Sequence, residues 1–196
     1  MDQPKLELRD PDDFGTFGRY KEIPVNQMNA AMKEAYDFTM SLRGLVPGPH
    51  KIWLANPKLS RTIVPTGLYY QKESSLSKAE IEIVTILTTV RWLSNYGVYE
   101  HERIGKRLGH LSAELVERMI AGHSVSFADV RQQAIYDLAD ALLMPRIAST
   151  GLFQRVREHI GDAGIVDVTV LIGWFTMVSM TLNAYDVPAN AQGLEQ

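Results

Sequence analysis

Between Ile165 and Leu182 the chain is apolar on nearly every side of a helix, with Val166, Val168, Val170, Leu171, Trp174 and Phe175 leaving no polar stripe. A helix of that kind must be covered all round. Asp167, Thr169, Thr176 and Ser179 interrupt the run, which falls short of the roughly 20 apolar residues that span a bilayer. It reads as the buried helix of a soluble protein, so the rest of the chain must supply its cover. A chain of 196 residues has few helices to give, and subunit association is the simplest additional source.

The other segments are helical too. Asn29 is a plausible N-cap for a helix carrying Met32, Ala35, Tyr36 and Met40 and ending at Gly44. Pro47, Gly48 and Pro49 set a rigid turn. A short helix through Ile52–Asn56 is expected to break at Pro57, with another from about Leu59 to Lys72. Ser77-Lys-Ala-Glu80 is a capping box opening a helix to about Leu93. After Asn95-Tyr96-Gly97 a second helix runs to Leu108 and ends at Gly109. Ser112 opens a short helix that stops at Gly122, and Ser126-Phe-Ala-Asp129 opens a longer one ended by Pro145. A helix through Leu152–Ile160 stops at Gly161, and the apolar helix closes the fold before Pro188. No segment alternates with period two between turn signals, so a sheet is not expected. The expectation is an all-α, compact orthogonal bundle of about seven or eight helices. Residues 1–25 form an arm, 26–190 a single domain and 191–196 a tail.

Composition removes several kinds of chemistry. The 20 basic and 23 acidic residues leave a net charge of -3, with no basic stripe to attract nucleic acid. There is no cysteine. Disulfides, thiolate metal sites and thiol catalysis are therefore excluded. The first residues have no apolar core of a signal peptide, and a cytoplasmic protein without a membrane partner is the expectation. No glycine-rich loop follows a strand, so nucleotide binding has no support.

The run Glu82-Ile-Val-Thr-Ile-Leu-Thr-Thr-Val-Arg-Trp-Leu-Ser94-Asn-Tyr96-Gly97-Val-Tyr-Glu-His101-Glu resembles the signature helices of the carboxymuconolactone decarboxylase superfamily, which includes the alkylhydroperoxidase D-like proteins. Their peroxidase signature is a Glu, eleven residues, then Cys-x-x-Cys-x-x-x-His. Glu82 and His101 stand at its ends, and Ser94 and Gly97 stand at the two Cys positions. The upstream run Gly44-Leu-Val-Pro47 and Lys51-Ile-Trp-Leu-Ala-Asn-Pro57 also resembles the family, as does the closing helix with Gly173-Trp174 and Asn183. The resemblance implies an alkylhydroperoxidase D-like fold, a trimer or hexamer, and chemistry without a metal or organic cofactor. A two-cysteine peroxidase cycle cannot run here, because a hydroxyl is not redox-active. The decarboxylase branch also lacks the cysteine pair and acts on a carboxylated lactone. Many of its relatives carry a Glu at the position of Gly97.

The residues can be weighed without the resemblance. Ser94, Gly97 and His101 fall three to four positions apart, on one helix face. Gly97 would open a gap where a ligand could approach the backbone. Tyr96 lies five positions before His101 and reaches the same face only if the helix starts late. Glu82 sits on the preceding helix, which must fold back for the pair to meet. If it does, the carboxylate can orient the imidazole and leave its other nitrogen to move a substrate proton. Tyr96, Tyr99 and His50 would then shape the pocket and donate hydrogen bonds to a developing enolate. The plainer roles stand beside these: Ser94 as an N-cap, both tyrosines as packing residues, His101 and Glu82 as ordinary core or surface groups. His110, His123 and His159 follow helix ends and complement the helix dipole or face water. Glu100-His101-Glu102 is no metal site, since neighbours on a helix point apart. The expected function is a cofactor-free acid–base enzyme acting on a small organic acid, lactone or carbonyl compound through Glu82 and His101. The alternatives are an oligomeric scaffold or ligand-binding protein that kept the fold, and a peroxide-linked role through an external thiol.

Overall fold

The computed structural model describes residues 15–107, 111–144 and 147–194, and all its regular elements are helices apart from one isolated bridge between Phe17 and Tyr20. Eight α-helices follow in order among the described residues: α1 Ala30–Arg43, α2 Pro49–Trp53, α3 Pro57–Lys72, α4 Lys78–Arg91, α5 Asn95–Arg107, α6 Ala113–Ile120, α7 Val130–Leu143 and α8 Thr150–Ala184. The all-α expectation holds. The expected stops at Gly109 and Pro145, the histidine His110, and residues 1–14 and 195–196 of the arm and tail lie outside the described residues.

Local chemistry explains most boundaries. The Asn29 side chain accepts from the Met32 amide to open α1, and Gly44 closes it in the left-handed conformation. Both halves of the Ser77–Glu80 capping box form at the start of α4, and the other oxygen of Glu80 accepts from Arg131 Nε at 2.7 Å, tying α4 to α7. Pro57 does not break a helix but begins one. It is the first residue of α3, behind the Asn56 cap, where its missing N–H leaves nothing unsatisfied. Of the Ser126-Phe-Ala-Asp129 segment expected to open α7, Asp129 is the cap, accepting from Arg131 and Gln132. The expected stop at Gly161 is present as a kink: the helix is interrupted there at φ 67°, ψ 178°.

Helix α4 is the hub, touching α5, α6, α7 and α8. Ile83 and Ile86 face Val116 and Met119 of α6, while Val84 joins Ile135 and Leu138 of α7 and Val168 and Leu171 of α8. Being sandwiched, α4 has no room for a polar stripe, and two of its three buried threonines satisfy themselves, while the Thr85 hydroxyl has no partner. Thr88 and Thr89 donate to the carbonyls of Val84 and Thr85. By length and composition alone α8 could cross a membrane, but here it is kinked and packed on α4 and α7. The described part of the N-terminal arm inserts Phe17 into the main core. Beside it Lys51 pairs with Glu22 at 3.0 Å and donates to the Leu194 carbonyl at 2.8 Å, so the arm and tail meet over α2.

Candidate functional site

The turn Trp92–Ser94 folds α5 back on α4, and this brings Glu82 and His101 together. His101 Nδ1 donates to Glu82 Oε2 at 2.9 Å. The Phe175 ring of α8 meets the imidazole edge-on at 4.9 Å and 88°. Glu82 is buried, and the His101 side chain keeps 18 % of its surface exposed. With Nδ1 committed, Nε2 has no partner among the described residues. The three neighbours Glu100, His101 and Glu102 diverge as their helical spacing demands: Glu100 pairs with Arg103, His101 with Glu82 and Glu102 with Lys106.

His101 lines a cavity of about 240 Å³ between α1, α2, α3, α5 and α8, walled by Tyr70, Tyr96, Trp174 and Phe175. Helix α5 starts late enough, at Asn95, for Tyr96 to reach this cavity from its first turn. Its ring stands edge-on to Phe17 at 5.3 Å. Burial pushes its hydroxyl pKa up to about 12, with the Glu100 carboxylate adding to the shift, so it is a hydrogen-bond donor at neutral pH. His50 also lines the cavity, buried against Trp53 at 4.7 Å, and its Nδ1 has no partner. Burial pushes its pKa down to about 3, assisted by the Arg43 charge. His50 is a neutral ring.

Three expected positions behave differently. Tyr99 is not in this cavity; it faces a separate surface hollow with Leu93 and Val98, beneath the Arg103 guanidinium. Ser94 is fully buried at the cap position, but its hydroxyl makes no hydrogen bond. Gly97 reaches the cavity wall, yet the space its missing side chain leaves is on the α4 side. A Cβ there would meet Thr89 Cγ2 at 2.8 Å and Ser94 Oγ at 3.0 Å. Gly97 thus serves close helix packing rather than ligand approach, and a larger residue would push α5 off α4.

Sequence reasoning also passed over Arg43, Trp174 and Phe175 as cavity residues. Arg43 ends α1 and meets Gly67 of α3, 24 positions further along the chain, so no local pattern marks it as facing the site. Trp174 and Phe175 are indistinguishable in sequence from the core residues around them on α8.

No family model matches the chain, and no curated protein does. Solved structures do. An uncharacterized peroxidase-related protein from Silicibacter sp. TM1040 is 20 % identical with a TM-score of 0.68, over 89 % of this chain and 96 % of that one. The debrominase Bmp8 is 12 % identical with a TM-score of 0.65, over 83 % of this chain and 87 % of that one. A Bmp8 variant in complex with 2,3,4-tribromopyrrole aligns equally well. At these identities the likeness is one of fold, and both proteins are consistent with the alkylhydroperoxidase D-like fold that the sequence resembles.

Proposed function

We propose that this protein is a cofactor-free acid–base enzyme, similar to the carboxymuconolactone decarboxylases, that moves a proton on a small cyclic or carbonyl-containing acid. The observation that carries the reading is the 2.9 Å contact between His101 Nδ1 and Glu82 Oε2 on the wall of an aromatic cavity. A carboxylate that accepts from Nδ1–H fixes the tautomer and leaves the Nε2 lone pair for substrate. In the proposed step, Nε2 takes a proton from a carbon next to a carbonyl. The C–H electron pair becomes the enolate π bond, and the carbonyl π electrons move onto oxygen. The Tyr96 hydroxyl is the donor placed to stabilise that oxygen. The imidazolium, held by Glu82, then returns its proton to carbon. No covalent bond to the protein is needed, in keeping with a chain that has no cysteine. The bound pyrrole of the debrominase neighbour supports a small planar ring as the substrate scale.

The test is exchange of solvent deuterium into a panel of lactones and cyclic keto acids, followed by NMR, alongside substrate depletion. His101→Ala is expected to lose about 10²–10⁴ of the rate with its helical signal intact, since that is the usual worth of a positioned acid–base group. Equal exchange in His101→Ala and the parent would refute the mechanism. Binding of a panel compound without exchange in the parent would favour the non-catalytic ligand-binding reading, which the glycine at position 97 supports.

A further inference from the structure

The cavity holds a second polar group that the acid–base step does not use. Arg43, in the last turn of α1, sends its side chain over α3 towards α8. An added Cβ on Gly67 would meet Arg43 Nη1 at 3.2 Å and Trp174 Cζ2 at 2.9 Å, so the guanidinium lies on the cavity wall in space that a side chain at position 67 would take. Its Nε is buried with no hydrogen-bond partner, and no carboxylate pairs with it among the described residues. Burial alone lowers its pKa. The last turn of a helix favours a cation in general. That does not account for the orphaned Nε. A half-buried guanidinium with a buried, unpartnered Nε and no counter-charge is costly, and here it lines a cavity.

The charges in the cavity are arranged asymmetrically. Glu82 and Glu100 carry negative charge on the side of His101. Glu100 is neutralised by Arg103 at 3.0 Å rather than by Arg43. On the other side, Arg43 stands with His50, a neutral ring whose Nδ1 is also unpartnered. An anionic group is therefore attracted to one side and repelled from the other. A guanidinium fork suits a planar carboxylate, which accepts two parallel hydrogen bonds. The walls are the flat faces and edges of Tyr70, Tyr96, Trp174 and Phe175. A cavity of about 150 Å³ accommodates benzene, so 240 Å³ suits one ring with a carboxyl group and a further substituent.

We propose that Arg43 is the anion anchor of this cavity, holding the carboxylate of a planar cyclic monocarboxylic acid as a handle that turns the ring towards His101. The choice of that cavity as the active site rests on the acid–base reading, but the anchor itself is a binding function and is measurable without turnover. Isothermal titration of the full chain with benzoate, furan-2-carboxylate and 2-pyrone-5-carboxylate, each against its primary amide, tests it directly. At least one acid is expected to bind about tenfold or more tightly than its amide, a difference of one decade in Kd. Arg43→Met should abolish that preference while leaving amide binding in place. Arg43→Lys, which keeps the charge and loses the fork, should retain only part of it. The preference should survive His101→Ala. A parent that binds no acid better than its amide overturns the anchor, as does a preference that persists in Arg43→Met. If Arg43→Met does not fold, undiminished preference in Arg43→Lys overturns the bidentate carboxylate site. Acid binding that persists without deuterium exchange would leave the anchor standing and remove the acid–base reading alone.

Discussion

A histidine packed against two indoles beside an arginine takes a second proton only at a cost. His50 packs against Trp53 at 4.7 Å and Trp174 at 6.5 Å, with the Arg43 charge nearby. Its folded pKa is lowered to about 3, whereas an unfolded histidine titrates near 6.5. Between those values the unfolded chain binds a proton that the native chain refuses. The stability contributed by the neutral ring is thus fully present above pH ~6.5 and is lost as pH falls towards the folded value. Between pH 7 and pH 5 this single group should remove about 2 kcal/mol of unfolding free energy. His50→Phe should lack that component when urea midpoints at the two pH values are compared. An equal pH slope in both proteins would mean that His50 is protonated in the fold. Residues like this divide what the sequence discloses. Glu82 and His101 could be paired from their spacing across two helices and the resemblance. Arg43 could not, because its meeting with Gly67 and Trp174 depends on how α1 crosses α3 and α8, which no local pattern encodes.

Helix ends were the most readable elements, since capping is chemistry between neighbours. Asn29, Ser77 and Ser112 cap where their side chains predict. Pro57 misled because proline breaks a helix interior but suits a first turn, and only the position of Asn56 decides which applies. Asp167 looked like an interruption in the apolar run and is a clamp. Its Oδ1 accepts from the Tyr69 hydroxyl at 2.7 Å, and Oδ2 accepts from the Ser75 amide at 2.9 Å and the Ser75 hydroxyl at 2.7 Å. Its backbone carbonyl accepts from Tyr70 at 2.9 Å. Burial alone would raise its pKa, but the donors from Ser75, Tyr69 and Ser74 more than offset this and hold it below the usual value. The clamp fixes the α3–α4 turn on α8, and with it the register of α4 that carries Glu82. Asp167→Ala should cost about 2–3 kcal/mol in denaturant unfolding, from the loss of several hydrogen bonds to a charged acceptor. Amide exchange at Ser75 should accelerate in the same variant. Unchanged protection there would show that the turn holds without the clamp.

At the scale of the molecule, the fold covers the closing helix on only part of its circumference. Helices α4, α5 and α7 take the side bearing Val168, Leu171, Val178 and Leu182. Val166, Val170 and Met180 remain 47–59 % exposed, with Thr169 and Gly173 exposed between them. Residues 166, 170, 173 and 180 are spaced by four, three and seven positions, all close to whole helical turns, so this is one stripe on one helix rather than scattered surface. Small residues in its middle would let a second helix approach closely. The sequence-based proposal of a trimer or hexamer therefore has a specific surface to act through, a copy of the same helix in a neighbouring subunit. Light scattering coupled to size exclusion is expected to give a mass that is a multiple of the 22.0 kDa chain. Val170→Glu, at the centre of the stripe and outside the cavity lining, should lower that mass by placing like charges face to face. A parent that elutes as a 22.0 kDa monomer at micromolar concentration would leave the stripe as solvent-exposed surface and remove the assembly. A variant that keeps the parent's mass would move the interface elsewhere, the most exposed apolar groups outside the stripe being Ile147 and Leu93, the latter in the α4–α5 turn at φ 50°.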